Sequence, residues 1–367
     1  MKQKKIVIAG GTGFIGQELA RYFGKENHVI IFTRQAVHAH NNNYNKKLVQ
    51  AAEGYNITYW RWDGKTVEKH WLNDLEAADI VINLAGKSVN CRYHEKQMTE
   101  VINSRIDATN TIGEAIRQTI TPPKLWINAA SATIYRNATD KPQDEFTGEI
   151  SLWRKDNMPY SFLDQCRTKW KQLLAHIVYG KYSEQYQAPT LDFSVKVCRE
   201  WENVFLLQRT PFTRKIALRT AITLGDGGVM EPYFNLLKFG LGGHQGNGQQ
   251  MYSWLHVEDF CRTIEWCYEH PDMEGIYNCA APAPVTNKTF MQTLRKLTGC
   301  KAALPAPAAL LEIGAALMGT ETELILKSRW VLPARLQQTG FRFKYNKLED
   351  ALQDIVHNTP RSRYHLF

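Results

Sequence analysis

The feature that most limits what this chain can fold into is a run near its start, IVIAGGTGFIG, where a short apolar stretch passes straight into glycines. Ile6 to Ala9 has the length and apolar continuity of a strand buried on both faces, and a helical pattern follows from about Gly13. Gly10, Gly13 and Gly16 punctuate that junction. In such a strand, turn and helix unit the first glycine makes the tight turn and the second lets the backbone approach a pyrophosphate. The third lets helix and strand pack closely. Unpaired N–H groups and the positive helix end then face the phosphates. Thr12, Phe14 and Ile15 lie in the same turn and join the three glycines as cofactor-binding candidates. Glycines also serve ordinary turns; the coincidence of strand, turn and helix gives this spacing its meaning.

Short apolar runs go on alternating with helical patterns: Val29 to Thr33, Ile80 to Leu84, a helix near Glu95 to Arg117, then Leu125 to Ala129. This predicts an α/β, Rossmann-type, doubly wound parallel sheet with a smaller mixed C-terminal substrate domain. Lys215 to Leu224 reads as a further strand, followed by a loop with Gly225, Gly227 and Gly228 and a second glycine-rich stretch around Gly240 to Gly248. After Trp254 a helix leads to a strand at Gly275 to Cys279. A joint at Pro305 and Pro307 precedes mixed elements and a helix from about Asn346. The expected division is residues 1–228 for the dinucleotide-binding domain, with an insertion at 151–192. Residues 229–367 form the smaller domain, the chain returning to the main sheet near 254–281.

The formal charge of +9 over 367 residues favours anionic partners, a preference that a cofactor phosphate, an acidic substrate or a nucleic acid would each satisfy. No Lys/Arg run interleaved with aromatics stands out, so a small-molecule substrate is expected and nucleic acid is not. Seven cysteines without a CxxC pair give neither a disulfide framework nor a zinc site, and no His/Cys/carboxylate cluster has metal-ligand spacing. A reducing, cytoplasmic setting is expected. The apolar run after MKQKK is too short for a secretion signal, and Ala302 to Gly319 is interrupted by Pro305, Pro307 and Glu312, so no membrane span is expected. A homo-oligomer is left open.

The end of the second strand bears on the cofactor. An NAD site usually places a carboxylate there for the ribose 2′-hydroxyl, whereas HVIIFTR ends in Thr33 and Arg34, with no acid until Glu53. A guanidinium attracts a 2′-phosphate through a charge-assisted hydrogen bond of roughly 1.5 to 3 kcal/mol, about ten- to a hundredfold in affinity. NADP(H) is therefore expected over NAD(H), unless Arg34 is only solvated at a strand end.

GGTGFIG, TR after the second strand, WDG at Trp62 to Gly64, NLAG at Asn83 to Gly86, NSR at Asn103 to Arg105 and SATIY at Ser131 to Tyr135 form a set. CREWE at Cys198 to Glu202, LRTAITLGDGG from Leu218 and SWLHVED from Ser253 extend it. Together they resemble the extended short-chain dehydrogenase/reductases, and within them an atypical NAD(P)-dependent epimerase-family branch known as YfcH-like or SulA homologues. The terminal RWVLPARL and GFRF resemble the domain of unknown function that closes this branch, here 303–352. The resemblance implies that Asp63 contacts the adenine region and that Leu84, Ala85 and Gly86 line the adenosine ribose side. By residue type alone, Asp63 reads as a strand-end turn residue and NLAG as a buried strand entering a loop. The resemblance puts Ser131 at the catalytic Ser/Thr position, where it would hydrogen-bond a substrate carbonyl or alcohol; it could instead cap local backbone.

The same resemblance breaks at the YxxxK dyad, in which a lysine and the cofactor field lower a phenol's pKa from near 10 so that it exchanges a proton. The equivalent helix reads FSVKVCREWE, with Phe193 and Val197 at that spacing, and none of the sixteen tyrosines has a Lys four residues later. The loss removes about 10² to 10⁴ in rate. Two catalytic substitutes are open: Lys196, three residues after Phe193, otherwise a solvated helix residue; and Tyr135, otherwise part of strand-to-loop packing. Two substrate contacts are open as well. Arg105 replaces a common Asn and would hold a carboxylate or phosphate unless it pairs with an internal acid, and His256 is a pocket-side residue unless it is structural.

Residues 151–192 read as an insertion carrying an amphipathic helix, with Leu163, Cys166, Trp170, Leu173, Leu174 and Ile177 on one face. It would be a lid, a patch packed on the protein's own surface, or a contact for a partner or a membrane surface. Two functions follow. The first is an NADP(H)-dependent oxidoreductase or epimerase acting on a small polar substrate. The alternative is a weakly catalytic or non-catalytic NADP(H)-binding regulatory or interaction protein.

Overall fold

In the computed structural model the described residues are 1–34, 54–89, 91, 93, 95–151, 193–301, 304–305 and 326–365. The strands β1 (Lys5–Ala9), β2 (His28–Thr33), β3 (Ile57–Arg61), β4 (Ile80–Asn83), β5 (Leu125–Ser131), β6 (Arg214–Thr220) and β10 (Gly275–Cys279) form one seven-stranded sheet. Its order is β10-β6-β5-β4-β1-β2-β3, with every neighbouring pair parallel. This is a Rossmann-type α/β fold whose topological switch lies between β1 and β4, where ligand crevices open at the carboxyl ends of strands. β3 lacks the unbroken apolar run of its neighbours; Ile57, Thr58, Tyr59 and Trp60 are only half-buried, as suits an edge strand.

Because side chains alternate across a strand, each apolar run serves two cores. Ile6 and Ile8, with Val29, Ile31, Ile80, Ile82, Leu125 and Ile127, face one layer; Val7, Ala9, Ile30, Phe32, Val81 and Trp126 face the other. Helix α1 (Phe14–Gly24) lies on the first face, through Leu19, Ala20 and Phe23. The opposite face takes α2 (Lys69–Leu75), α3 (Glu95–Gln118) and α4 (Phe193–Leu206), the last through Phe205, whose ring meets Trp126 edge-on at 4.9 Å.

Lys215 to Leu224, expected as one strand, is two. After β6 the Ala221 N–H still donates to Cys279, but the Ile222 N–H donates to Ser253, and β7 (Ile222–Leu224) leaves the main sheet. It pairs with β9 (Trp254–His256), which follows α5 (Met230–Lys238) and β8 (Met251–Tyr252). Helix α6 (Val257–Glu269) then returns beside α1 on the first face of the sheet. A third core joins β11 (Val285–Thr286), paired with β8, to α7 (Asn287–Thr298) and α9 (Leu348–Asn358), while α8 (Ala334–Gln338), between them in sequence, packs on the first core through Leu336. Helix α7 is bounded as its sequence dictates. Thr286 accepts the Thr289 N–H at its start, and Gly299 at φ +71° supplies the left-handed residue at its end.

No helix among the described residues is long and apolar enough to cross a membrane. The amphipathic pattern at Leu163 to Ile177 and nearly all of Ala302 to Gly319 lie outside the described residues.

Candidate functional site

The turn after β1 is closed by backbone. The Gly10 N–H donates to the Phe32 carbonyl at 2.9 Å, and Gly10 itself sits at φ +77° with a would-be Cβ only 2.8 Å from the Ala85 Cα. A Cβ on Gly16 would collide with the Gly11 backbone, so the first helical turn presses directly on the loop. Gly13 is the N-cap of α1 and offers no side chain to the helix end. The amides of Phe14, Ile15 and Gly16 have no acceptor among the described residues. Orphan donors at a helix N-terminus, with no side chain in the way, fit a pyrophosphate. The Phe14 ring is turned away under the glycine loop, where Cβ atoms on Gly225 and Gly228 would strike it.

Around this turn the other cofactor candidates gather. Thr33, 3% exposed, ends β2 with its hydroxyl 3.4 Å from that of Thr12, and Arg34 follows, exposed and without an ionic or hydrogen-bonded partner among the described residues. Leu84 is fixed to β1 by its N–H to the Ala9 carbonyl at 2.9 Å. The buried Asn83 side chain accepts the Ala85 N–H at 3.0 Å and donates to Asn128 and Thr109, setting the path of Leu84, Ala85 and Gly86 past the sheet edge. Asp63 is exposed beyond β3, and its carboxylate already accepts the N–H groups of Lys65 and Thr66 and the Thr66 hydroxyl at 2.7 to 2.9 Å. Desolvation opposes ionisation there, but those three donors outweigh it and hold the carboxyl below its usual pKa. That geometry is the strand-end turn.

At the far end of the crevice Ser131 closes β5, half-buried, and its Oγ accepts the Thr133 N–H at 3.2 Å. The Cys198 thiol of α4 packs in the small core that Ala132, Ile134, Tyr135 and Val331 form just beyond it. Burial pushes that thiol up to about 11; Glu202 adds to the rise, while Lys327, Arg105 and Ser131 oppose it. Phe193 and Val197, at the dyad spacing, are each 4% exposed and pack with Tyr93 and Val101, Phe193 edge-on to Tyr93 at 4.6 Å. Lys196 is half-exposed on the same helix.

Tyr135 lies deeper. Its hydroxyl donates to Asn278 Oδ1 at 3.0 Å and accepts from Arg219 at 2.9 Å, while Arg219 grips Glu202 with two bonds of 2.7 and 2.8 Å. Burial raises the phenol's pKa, although Arg219 and Asn278 work against the rise. His256 is the N-cap of α6: Nδ1 accepts the Glu258 N–H at 3.2 Å, and the ring lies 3.9 Å from that of Tyr345. Nε2 stands 3.4 Å from Asp354 without forming a hydrogen bond. The structure thus sets Tyr135 and His256 in packing networks, while Arg105 on α3 bonds the Lys87 and Val101 carbonyls and faces the Trp201 ring of α4 at 5.0 Å. No group of three or more His, Cys, Asp or Glu among the described residues could hold a metal ion.

The NAD dependent epimerase/dehydratase family matches residues 6–280, three quarters of the chain, and a domain of unknown function, DUF1731, matches 306–355. This chain belongs to the NAD dependent epimerase/dehydratase family. An epimerase family protein of Staphylococcus epidermidis is 30% identical over 355 residues, covering 96% of this chain and 99% of the relative. The epimerase family protein YfhF of Bacillus subtilis is 29% identical, covering 96% and 97%. Among solved structures, human epimerase family protein SDR39U1 with NADPH superposes with a TM-score of 0.71 at 24% identity, covering 96% of this chain and 99% of that one. A UDP-glucuronic acid 4-epimerase variant from Bacillus cereus, in complex with a fluorinated UDP-sugar and NAD, gives 0.65 at 16% identity, covering 97% and 98%.

Two cations of the site were not found by sequence reasoning. The C-terminal segment is laced between two parts of the molecule: the Arg329 N–H donates to Met251, the Ser253 N–H to Arg329, the Gln143 N–H to Trp330 and the Leu332 N–H to Gln143. This delivers Lys327 Nζ to the Thr133 carbonyl at 2.9 Å and Arg329 Nε to the Thr133 hydroxyl at 3.0 Å, two residues from Ser131. The RWVLPARL run was a visible signal, but nothing in its spacing says that it reaches across roughly 200 positions to the end of β5.

Proposed function

We propose that this protein is an NADP(H)-dependent oxidoreductase or epimerase of the extended short-chain dehydrogenase type acting on a small polar substrate. Residues 1–228 supply the cofactor platform, and the smaller C-terminal part completes the substrate side. The observation that carries this reading is the junction of β1 and α1, where three amides without acceptors among the described residues, a bare Gly13 cap and an Arg34 with no partner among the described residues lie at the switch point of the sheet. The Phe14, Ile15 and Gly16 amides would hold the diphosphate, Arg34 the 2′-phosphate, and Thr12, Thr33 and the Leu84 to Gly86 path the adenosine half. Asp63, its carboxylate shared with its own turn, would shape the adenine rim. That another family member, human SDR39U1, was solved with NADPH supports the choice of cofactor.

A bound nicotinamide would supply hydride exchange with a substrate carbon; the chain's own contribution is orientation and charge. Ser131, fixed by the Thr133 N–H, would present its hydroxyl to a substrate oxygen, and Lys327 and Arg329 would stabilise negative charge developing there. Tyr135, with both bonding directions used, holds the floor in place, and His256 fixes the docking of the C-terminal segment. Lys196, half-exposed on α4, remains a candidate to share in proton exchange.

One observation favours the second reading, a weakly catalytic or non-catalytic NADP(H)-binding protein: Phe193 and Val197, at the dyad spacing on α4, are apolar and buried. A screen of purified protein for substrate-dependent change in NADPH absorbance separates the two. The enzymatic reading expects turnover that falls roughly ten- to a hundredfold in Ser131→Ala, the cost of one hydrogen bond to developing charge. Turnover indifferent to that change removes the role of Ser131, and absence of turnover across carbonyl and sugar-nucleotide classes favours the binding protein.

A further inference from the structure

The C-terminal turn reaches back to the loop that covers Phe14. That loop, Gly225-Asp226-Gly227-Gly228, is pinned from inside. A Cβ on Gly225 would lie 2.6 Å from the Phe14 ring and 2.9 Å from Val257 at the start of α6, and one on Gly228 would lie 2.8 Å from the same ring. Gly227 and Gly228, at φ +144° and +55°, take a path that glycine adopts at a larger loss of backbone freedom than any other residue, so what fixes it from outside matters. Its one charged side chain, Asp226, is exposed and accepts a hydrogen bond from Nη1 of Arg363, 137 positions away. Nη2 of the same guanidinium donates to Glu231 in the first turn of α5 at 3.2 Å, and its carbon stands 5.8 Å from the Phe234 ring. The residues on either side hold Arg363 to α5. The Ser362 carbonyl accepts from Lys238 Nζ at 3.1 Å, and the buried Tyr364 ring lies 5.6 Å from that of Phe234.

Phe14 links this clamp to the cofactor crevice. It is the first residue of α1, directly after the Gly13 cap, and its N–H is one of the three that the proposed diphosphate would meet. Its ring is the floor on which the glycine loop rests, so a loop that lifts leaves that ring and the backbone bearing the amide less restrained. We propose that Arg363 is a positioning residue for the cofactor: by tying Asp226 to Glu231 it presses the glycine loop on Phe14 and slows release of the dinucleotide. The assignment rests on the reading of the β1 to α1 junction as the NADP(H) site, and it gives the C-terminal segment a part in that site. Arginine suits the role because its planar fork meets carboxylates from two elements at once, whereas lysine offers a point charge. Exposed ion pairs contribute little to global stability, so the effect belongs to the loop and not to the fold.

The test is the rate of NADPH release, followed by stopped-flow fluorescence during displacement with excess oxidised NADP. It compares wild type, Arg363→Gln, Asp226→Asn, the double variant and Arg363→Lys, beside the urea midpoint of each. The expected result is release roughly two- to tenfold faster in Arg363→Gln and in Asp226→Asn, with urea midpoints close to that of the wild type. The double variant is expected to be no faster than Arg363→Gln alone, because both changes open the same contact, and Arg363→Lys to recover part of the difference. Release unchanged in Arg363→Gln, or single effects that multiply in the double variant, overturns the inference. Failure of the wild type to bind NADPH would instead remove the underlying functional reading.

Discussion

Tyr135 shows how residue type and role separate. Four residues after Ser131 at the edge of the crevice, it invites a catalytic reading, yet its hydroxyl is committed to Asn278 and Arg219 and the residue is 2% exposed. Removing that hydroxyl strands an Arg219 donor and an Asn278 acceptor beside a buried ion pair. Tyr135→Phe is therefore expected to cost about 1 to 3 kcal/mol of stability in urea unfolding while leaving NADPH affinity within about twofold. Unchanged stability with lost turnover would reverse that assignment. Glycines are more legible than aromatics at this scale, because Gly10 and Gly16 are dictated by backbone contacts that no side chain would survive, and such contacts recur at fixed spacing. Whether a phenol is a strut or an acid is decided by Asn278 and Arg219, more than eighty positions away along the chain.

Elements carry the next set of constraints. Helix α4 carries the dyad spacing of the resemblance, and its Phe193 and Val197 pack with Tyr93 and Val101. At the start of α6, His256 serves as cap and as platform for Tyr345, with Glu258, Asp259, Asp354 and Lys344 acting on its charge. Burial is the largest influence and lowers its pKa below the ordinary 6.5, although the three acids resist. The folded state thus binds a proton there less readily than the unfolded chain does. The stabilisation is complete above about pH 6.5 and is lost as pH falls through the folded value. His256→Asn retains a cap acceptor and is expected to flatten the decline of the urea midpoint between pH 7.5 and 5.5; parallel slopes for the two proteins would show that the imidazole is not the sensor. The apolar runs of β1, β2, β4 and β5 were readable because a buried parallel strand has nothing but apolar residues to show. β3, with Thr58 and Arg61 in an edge strand, carried no such run, and the break at Ala221 follows from pairing with Ser253 that periodicity does not encode.

At the scale of the molecule, the sheet order and its switch point follow from local patterns repeated along the first half of the chain. The proposed substrate side does not, since Ser131 ends β5 while Lys327 and Arg329 reach Thr133 from a C-terminal stretch laced to β8 and to the 137–143 loop. The cofactor platform is accordingly the part of the site most visible in the sequence, and the net charge of +9 agrees with anions as ligands without naming them. The account stands on the grip of the β1 to α1 junction on a diphosphate, with Arg34 receiving the additional phosphate. The most direct measurement is calorimetric titration of NADPH and NADH into wild type and Arg34→Ala. The expected result is NADPH bound roughly ten- to a hundredfold more tightly than NADH by the wild type, and the two bound alike by the variant. Equal affinities in the wild type, or no binding of either nucleotide by folded protein, would contradict it.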